Sequence, residues 1–161
     1  VDASCYKSFF ENEYTIKLIA SAGQINGVNQ KVRIRDRFNM GDPIFRGFSS
    51  AGMGPRVKAT KEGLGGQKFY KLTSEFSFPM GLPRELNVTG HVFVDYGFDI
   101  PKNATYQRQD ISSAKKPNAS FGGGILWITR IAPIRIDYAI PWRKNKYDET
   151  QRFHFGFTAS V

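Results

Sequence analysis

Residues 71–98 read KLTSEFSFPMGLPRELNVTGHVFVDYGF, and the alternation within this stretch decides the fold. Leu72, Phe76 and Phe78 share one parity, interrupted only by Ser74, while Lys71, Thr73, Glu75 and Ser77 share the other. A period of two marks a β-strand, whose successive side chains point to opposite faces. After the turn Pro79-Met80-Gly81-Leu82-Pro83 the pattern resumes. Val88, Val92, Val94 and Tyr96 lie on one face, Asn87, Thr89, His91 and Asp95 on the other, and Phe93 is out of step.

The same reading extends in both directions. Towards the N-terminus, Tyr14, Ile16, Leu18 and Ala20 oppose Thr15, Lys17 and Ser21, and a weaker strand covers Ala3 to Phe10. Towards the C-terminus, Phe121, Ile125 and Trp127 oppose the small residues Ser120, Gly122 and Gly124. Ile134, Ile136, Tyr138 and Ile140 oppose Arg135, Asp137 and Ala139, and Phe153, Phe155, Phe157, Ala159 and Val161 oppose Arg152, His154, Gly156, Thr158 and Ser160. The chain is therefore predicted to be all-β, an antiparallel up-and-down meander of about seven strands. Its joins alternate in length. Those near Glu11, Gly81 and Ala132 are short, whereas Gln24–Phe69, Phe98–Pro117 and Pro141–Glu149 are long and polar or charged.

Short turns at one end and long loops at the other are the layout of a transmembrane β-barrel. The charge pattern says which face meets lipid, because a cation at the bilayer midplane costs roughly 2–4 kcal/mol in such barrels. The charged parity is thus expected to face the lumen: Glu75, His91, Asp95, Arg135, Asp137, Arg152 and His154. Tyr96, Trp127, Tyr138 and Trp142 suit either an interfacial aromatic girdle or buried packing. With 161 residues, 40% hydrophobic, the chain suits one domain or part of a larger one. No apolar run reaches the roughly 20 residues of a spanning helix, and no charged segment followed by an apolar one opens the chain. A mean hydropathy of −0.39 does not register strands that alternate. Cys5 is single, so no disulfide framework exists.

Residues 41–56, GDPIFRGFSSAGMGPR, form a Gly- and Pro-rich loop with apolar anchors at Ile44, Phe45, Phe48 and Met53. A loop carrying its own anchors is expected to dock. Arg46 then has two readings: a solvated loop residue, or a guanidinium buried in the lumen, where it needs carboxylates. Glu75 and Asp95, on adjacent strands and the lumen parity, are available for its planar fork. His91 and Asp95 with Ser77 invite a hydrolase triad, but no G-x-S-x-G elbow accompanies them. No His, Cys and carboxylate cluster has metal spacing, and the glycine runs at residues 63–66 and 122–124 lack the setting of a phosphate loop, so no catalytic, cofactor-binding or metal residue is assigned. The +9 charge permits a soluble nucleic-acid-binding barrel. Stacking platforms, however, need aromatic and basic residues on one face, and here the aromatics occupy the uncharged parity while the lysines scatter through loops.

Several motifs in fixed order carry a resemblance: Arg37-Phe38 with Gly41-Asp42, Phe45-Arg46-Gly47-Phe48, Gly54-Pro55-Arg56, Gly65-Gly66, Ser74-Glu75-Phe76 with Phe78-Pro79, and Phe93-Val94-Asp95-Tyr96-Gly97. They continue with Ala119-Ser120-Phe121-Gly122, Gly124, Trp127, Pro133-Ile134-Arg135, Asp137-Tyr138-Ala139, and Asp148 to Phe155. Over nearly its whole length the chain resembles the C-terminal part of the barrel of the BamA family of outer-membrane protein assembly factors, and most of all the α-proteobacterial members. The resemblance implies that residues 1–161 are roughly the last seven of about sixteen barrel strands, with the earlier strands and the periplasmic POTRA domains lying outside this chain. It implies that the loop at about residues 25–69 dips into the lumen, and that its tip Phe45, Arg46, Gly47 and Phe48 latches onto Glu75 and Asp95.

The function so implied is non-enzymatic insertion of unfolded outer-membrane protein clients into the outer membrane of a Gram-negative bacterium, without a cofactor and without nucleic acid. Outer-membrane lipids and accessory assembly lipoproteins are the other implied partners. A lateral seam would involve the last strand, Gln151 to Val161, at Phe153, Phe155, Gly156 and Phe157. A two-partner secretion barrel of the same superfamily shares the loop and is the nearest alternative. Two departures from the family pattern stand out: Thr158 and Val161 stand where members usually have a glycine three residues before a terminal Phe or Trp, and Thr129-Arg130-Ile131-Ala132 replaces the commoner Ser-Pro-x-Gly turn.

Overall fold

The alternating segments become strands whose two faces have opposite chemistry. A computed structural model describes residues 1–10, 13–29, 32–100, 111–112 and 116–157. In chain order the strands are β1 (Asp2–Phe9), β2 (Tyr14–Gln24), β3 (Arg56–Val57), β4 (Lys68–Pro79), β5 (Val88–Ile100), β6 (Ile111–Ser112), β7 (Asn118–Ile128), β8 (Pro133–Arg143) and β9 (Phe153–Phe157). Seven of them form one sheet in the order β1-β2-β4-β5-β7-β8-β9, with every neighbouring pair antiparallel. The expected meander is thus present, with β1 and β9 at its edges among the described residues. The two-residue pair β3–β6 is an addition, made within the long loops.

The sheet is built inside out relative to a soluble protein. On one face Leu72, Val92 and Phe76 are 52%, 47% and 37% exposed, whereas Thr73, His91 and Asp95 on the other are 3%, 3% and 0% exposed. Water would not leave that apolar face bare; a hydrocarbon surround does, because apolar side chains are at home there once the backbone groups are paired within the sheet. Phe76, Val92 and Tyr138 lie at one level across the sheet, since Phe76 pairs with Val92, Val92 with Gly123 and Gly123 with Tyr138. Tyr138 stands at the middle of β8 rather than near either end. Trp127 and Trp142 project from opposite ends of the outer face, and neither is buried packing.

The inner face is covered by the segment between β2 and β4. Met40, Phe45, Phe48 and Met53 are each no more than 1% exposed and form an apolar cluster against Phe69. Each such side chain contributes about 1.5–3 kcal/mol on burial, enough to hold a loop rich in glycine. Gly97 on β5 makes room, because a Cβ there would stand 2.8 Å from Phe45 Cε2. Ile44, expected among the anchors, is instead half exposed, and Met40 takes its place in the cluster. The Asp42–Pro43 peptide is cis. The turn of residues 144–152 is held by Asp148, whose Oδ2 accepts from the Asn145 amide at 2.7 Å and from Asn118 Nδ2 at 2.6 Å.

Candidate functional site

The docked loop brings one arginine to the inner wall. Arg46 Nε donates to Asp95 Oδ2 at 2.8 Å, its Nη2 to Asp95 Oδ1 at 3.0 Å and its Nη1 to Glu75 Oε2 at 2.7 Å. The guanidinium fork thus grips one carboxylate through two parallel bonds and a second through its remaining edge, a geometry that a lysine ammonium cannot reproduce. Its face is used as well, since Cζ lies 3.4 Å from the centre of the Phe93 ring. The residue that broke the alternation of β5 is therefore an inner-face platform, 3% exposed, that stacks under the arginine.

The wall supplies more than the two carboxylates expected from the sequence. Thr73 Oγ1 donates to Asp95 Oδ1 at 2.6 Å and orients it. Arg135 Nη2 donates to Glu75 Oε2 at 2.6 Å and its Nε to Asp137 Oδ2 at 2.8 Å, so a second arginine completes the network. Lys71 donates to the Ile44 carbonyl and holds the far side of the loop tip. Arg46, Arg135 and Lys71 thereby face Glu75, Asp95 and Asp137, three charges of each sign. Such balance is required where an uncompensated buried charge costs several kcal/mol. The need for a third carboxylate could have been inferred from the sequence, because Arg135 and Asp137 share the inner parity of one strand.

The backbone of the tip is bound too. Ser120 Oγ donates to the Arg46 carbonyl at 2.6 Å, beside the register shift between Ala119 and Ser120 on β7. Gly47 has φ +92°, and a Cβ there would stand 2.9 Å from Ser120 Cβ. The glycine after the arginine thus answers both a left-handed backbone and the close wall. The small side of β7 is small for the same reason: Ser120 lies beneath the tip, and Phe93 covers its cross-strand partner Gly122.

The tip also meets the last strand. The Gly47 amide donates to His154 Nε2 at 2.8 Å, and His154 Nδ1 lies 2.7 Å from Asp42 Oδ1. The chain just before β9 pairs with the loop: the Ser49 amide donates to Glu149 O, the Glu149 amide to Gly52 O and the Gln151 amide to Gly47 O. This pairing explains why β9 starts at Phe153 rather than at the expected Gln151, and why Arg152, expected in the lumen, is exposed ahead of the strand. Phe153, Phe155 and Phe157 project from the outer face, and Gly156 has open space where a Cβ would be. The departures at Thr158 and Val161 lie outside the described residues.

A triad is not assembled here. Ser77 is the cross-strand partner of His91, but His91 Nε2 lies 2.5 Å from Asp137 Oδ1 and 2.9 Å from Arg135 Nη2, with no hydrogen bond to Ser77 among the described residues. Asp95, the third member, is occupied by Arg46 and Thr73. No group of three or more His, Cys, Asp or Glu side chains able to hold a metal occurs among the described residues.

Comparison with known proteins agrees with this architecture. The Omp85 superfamily domain matches residues 1–160. The chain is 31% identical over 158 residues to an outer membrane protein assembly factor BamA from Neorickettsia risticii, covering 98% of the chain and 21% of that protein. It is 31% identical over 132 residues to the BamA of Neisseria meningitidis serogroup B, covering 68% of the chain and 17% of that protein. The crystal structure of BamA from Haemophilus ducreyi lacking POTRA domains 1–3 superposes with a TM-score of 0.82 at 23% identity, over 96% of this chain and 33% of that one. The chain thus spans about a fifth of the length of the curated relatives it matches.

Proposed function

Because the chain belongs to the Omp85 superfamily, we propose that it forms the C-terminal wall of an outer-membrane barrel that assembles and inserts other outer-membrane proteins in a Gram-negative bacterium. The observation that carries this reading is the grip of Arg46 on Asp95 and Glu75 from a loop that covers the inner face. A loop fixed in this way acts as a latch: Phe45 and Phe48 anchor it, Gly47 fits it to the wall, and Arg46 sets its register.

Work of this kind requires no reacting group. Unfolded outer-membrane protein clients arrive with unpaired strand edges, and β9 at the end of the sheet is the strand that can offer them a template. Among the described residues it pairs with β8 from Phe153 to Phe157. Phe153, Phe155 and Phe157 face the lipid beside it, and Gly156 leaves a gap on the inner side. Lipids of the outer membrane surround this edge, and accessory assembly lipoproteins are the further partners of this reading.

The test uses the full-length protein reconstituted in liposomes, with the folding rate of a client barrel as readout. Arg46→Ala is expected to slow insertion, and Glu75→Gln combined with Asp95→Asn to slow it comparably. Client folding at the unmodified rate in both variants would refute the latch.

A further inference from the structure

We propose that His154 is the positioning residue through which the loop tip and the last strand move as one body. This deepens the assembly reading above and rests on it for its consequence, though its geometry stands alone. His154 lies on the inner face of β9, next to Asp137 of β8, its cross-strand partner. Its two ring nitrogens bind two different parts of the loop: Nδ1 the Asp42 carboxylate at 2.7 Å, and Nε2 the Gly47 amide at 2.8 Å. Nε2 also lies 2.9 Å from the Gln151 carbonyl; the Gly47 amide can only donate, so in the tautomer that accepts its bond the ring proton is on Nδ1, facing the carboxylate. One side chain of the terminal strand thus fastens both sides of the bend that presents Arg46.

The position of this bond matters more than its strength. Arg46 fixes the loop to β4 and β5, deep in the wall, whereas His154 fixes it to the strand at the open edge. The backbone bonds from Ser49, Gly52 and Gly47 reach only Glu149 and Gln151, ahead of β9. Among the hydrogen bonds described, those from His154 alone tie the loop to a residue within β9. With them in place, β9 cannot swing from its neighbour without pulling at Gly47 and at the Arg46 carbonyl that Ser120 holds. With them broken, the strand beyond Gln151 is held by β8 alone while Arg46 stays seated.

Two amide substitutions separate the two ring nitrogens. A glutamine terminus reaches the place of Nε2 and can accept from Gly47, whereas the shorter asparagine reaches only the place of Nδ1 and keeps the Asp42 side. Hydrogen–deuterium exchange of the full-length protein in lipid nanodiscs reads both windows, residues 45–49 and 153–157. His154→Asn, which leaves the Gly47 amide without its acceptor, is expected to accelerate exchange in both windows roughly tenfold, and His154→Gln, which gives up only the Asp42 side, by clearly less. Equal behaviour of the two variants, or acceleration in one window alone, overturns the proposal. That failure would leave the assembly reading standing, because the latter falls on the client-folding rate of Arg46→Ala and not on exchange.

Discussion

The guanidinium of Arg46 rests on the ring of Phe93, with 3.4 Å between Cζ and the ring centre, while its edges are bonded to Asp95 and Glu75. The arginine is thus held in two independent ways, by charge around its rim and by an aromatic surface under its face. Phe93→Leu keeps an apolar residue of similar bulk and removes only the second. It is expected to destabilise loop docking by about 1–2 kcal/mol, seen as faster protease cleavage within residues 41–56 of the full-length protein while heat-modifiable migration on gels is retained.

The charge half of the grip is tested by keeping charge and changing shape. Arg46→Lys places one ammonium where three donors stood in a plane, so it can serve Asp95 or Glu75 but not both with bidentate geometry. The expected result is an intermediate phenotype, closer to Arg46→Ala than to the unmodified protein, in client-folding rate. Full rescue by lysine would mean that net charge rather than the fork matters.

Gly47 faces two obstacles to substitution, a φ of +92° and the proximity of Ser120 Cβ. Gly47→Ala is expected to cost about 1–3 kcal/mol. Adding Ser120→Gly relieves the crowding but not the backbone, and it also removes the bond to the Arg46 carbonyl. The double variant should therefore remain at least as impaired as Gly47→Ala in the thermal midpoint of the heat-modifiable band.

The outward face makes a depth-dependent prediction. Val92 lies at the level of Phe76 and Tyr138 in the middle of the sheet, whereas Trp142 lies near the end of β8. Val92→Arg should cost about 2–4 kcal/mol and Trp142→Arg about 0–1 kcal/mol, measured by urea titration of the full-length protein folding into vesicles. Equal costs would contradict the assignment of the apolar face to lipid.

Strand order and face were legible in the sequence because lipid and lumen make opposite demands on alternate residues. Leu72, Thr73, Val92 and Asp95 each follow that demand, and no partner need be known to sort them. Phe93 was not legible: its apolar side chain points inward because the ligand on that face is a guanidinium, which favours a ring, and parity alone registers it only as an exception. The pairing of Arg46 with Glu75 and Asp95 could be named as a possibility from charge and parity, and Arg135 with Asp137 by the same logic. Met40 in place of Ile44, the pair β3–β6 and the contact of Asp42 with His154 depend on how a long loop folds back. Two-residue strands and loop turns have no period to read.

Asp42 and His154 stand 112 positions apart in the chain, and Gly47 and His154 stand 107 apart. Arg46, Glu75 and Asp95 are all synthesised well before the residue that completes the tip. A protein cut short before β9 could still form the charge cluster, yet the bend carrying it would lack its final acceptor. Contacts of such separation form late because loop-closure entropy opposes them. Full seating of the loop tip therefore waits until β9 has joined the sheet beside β8.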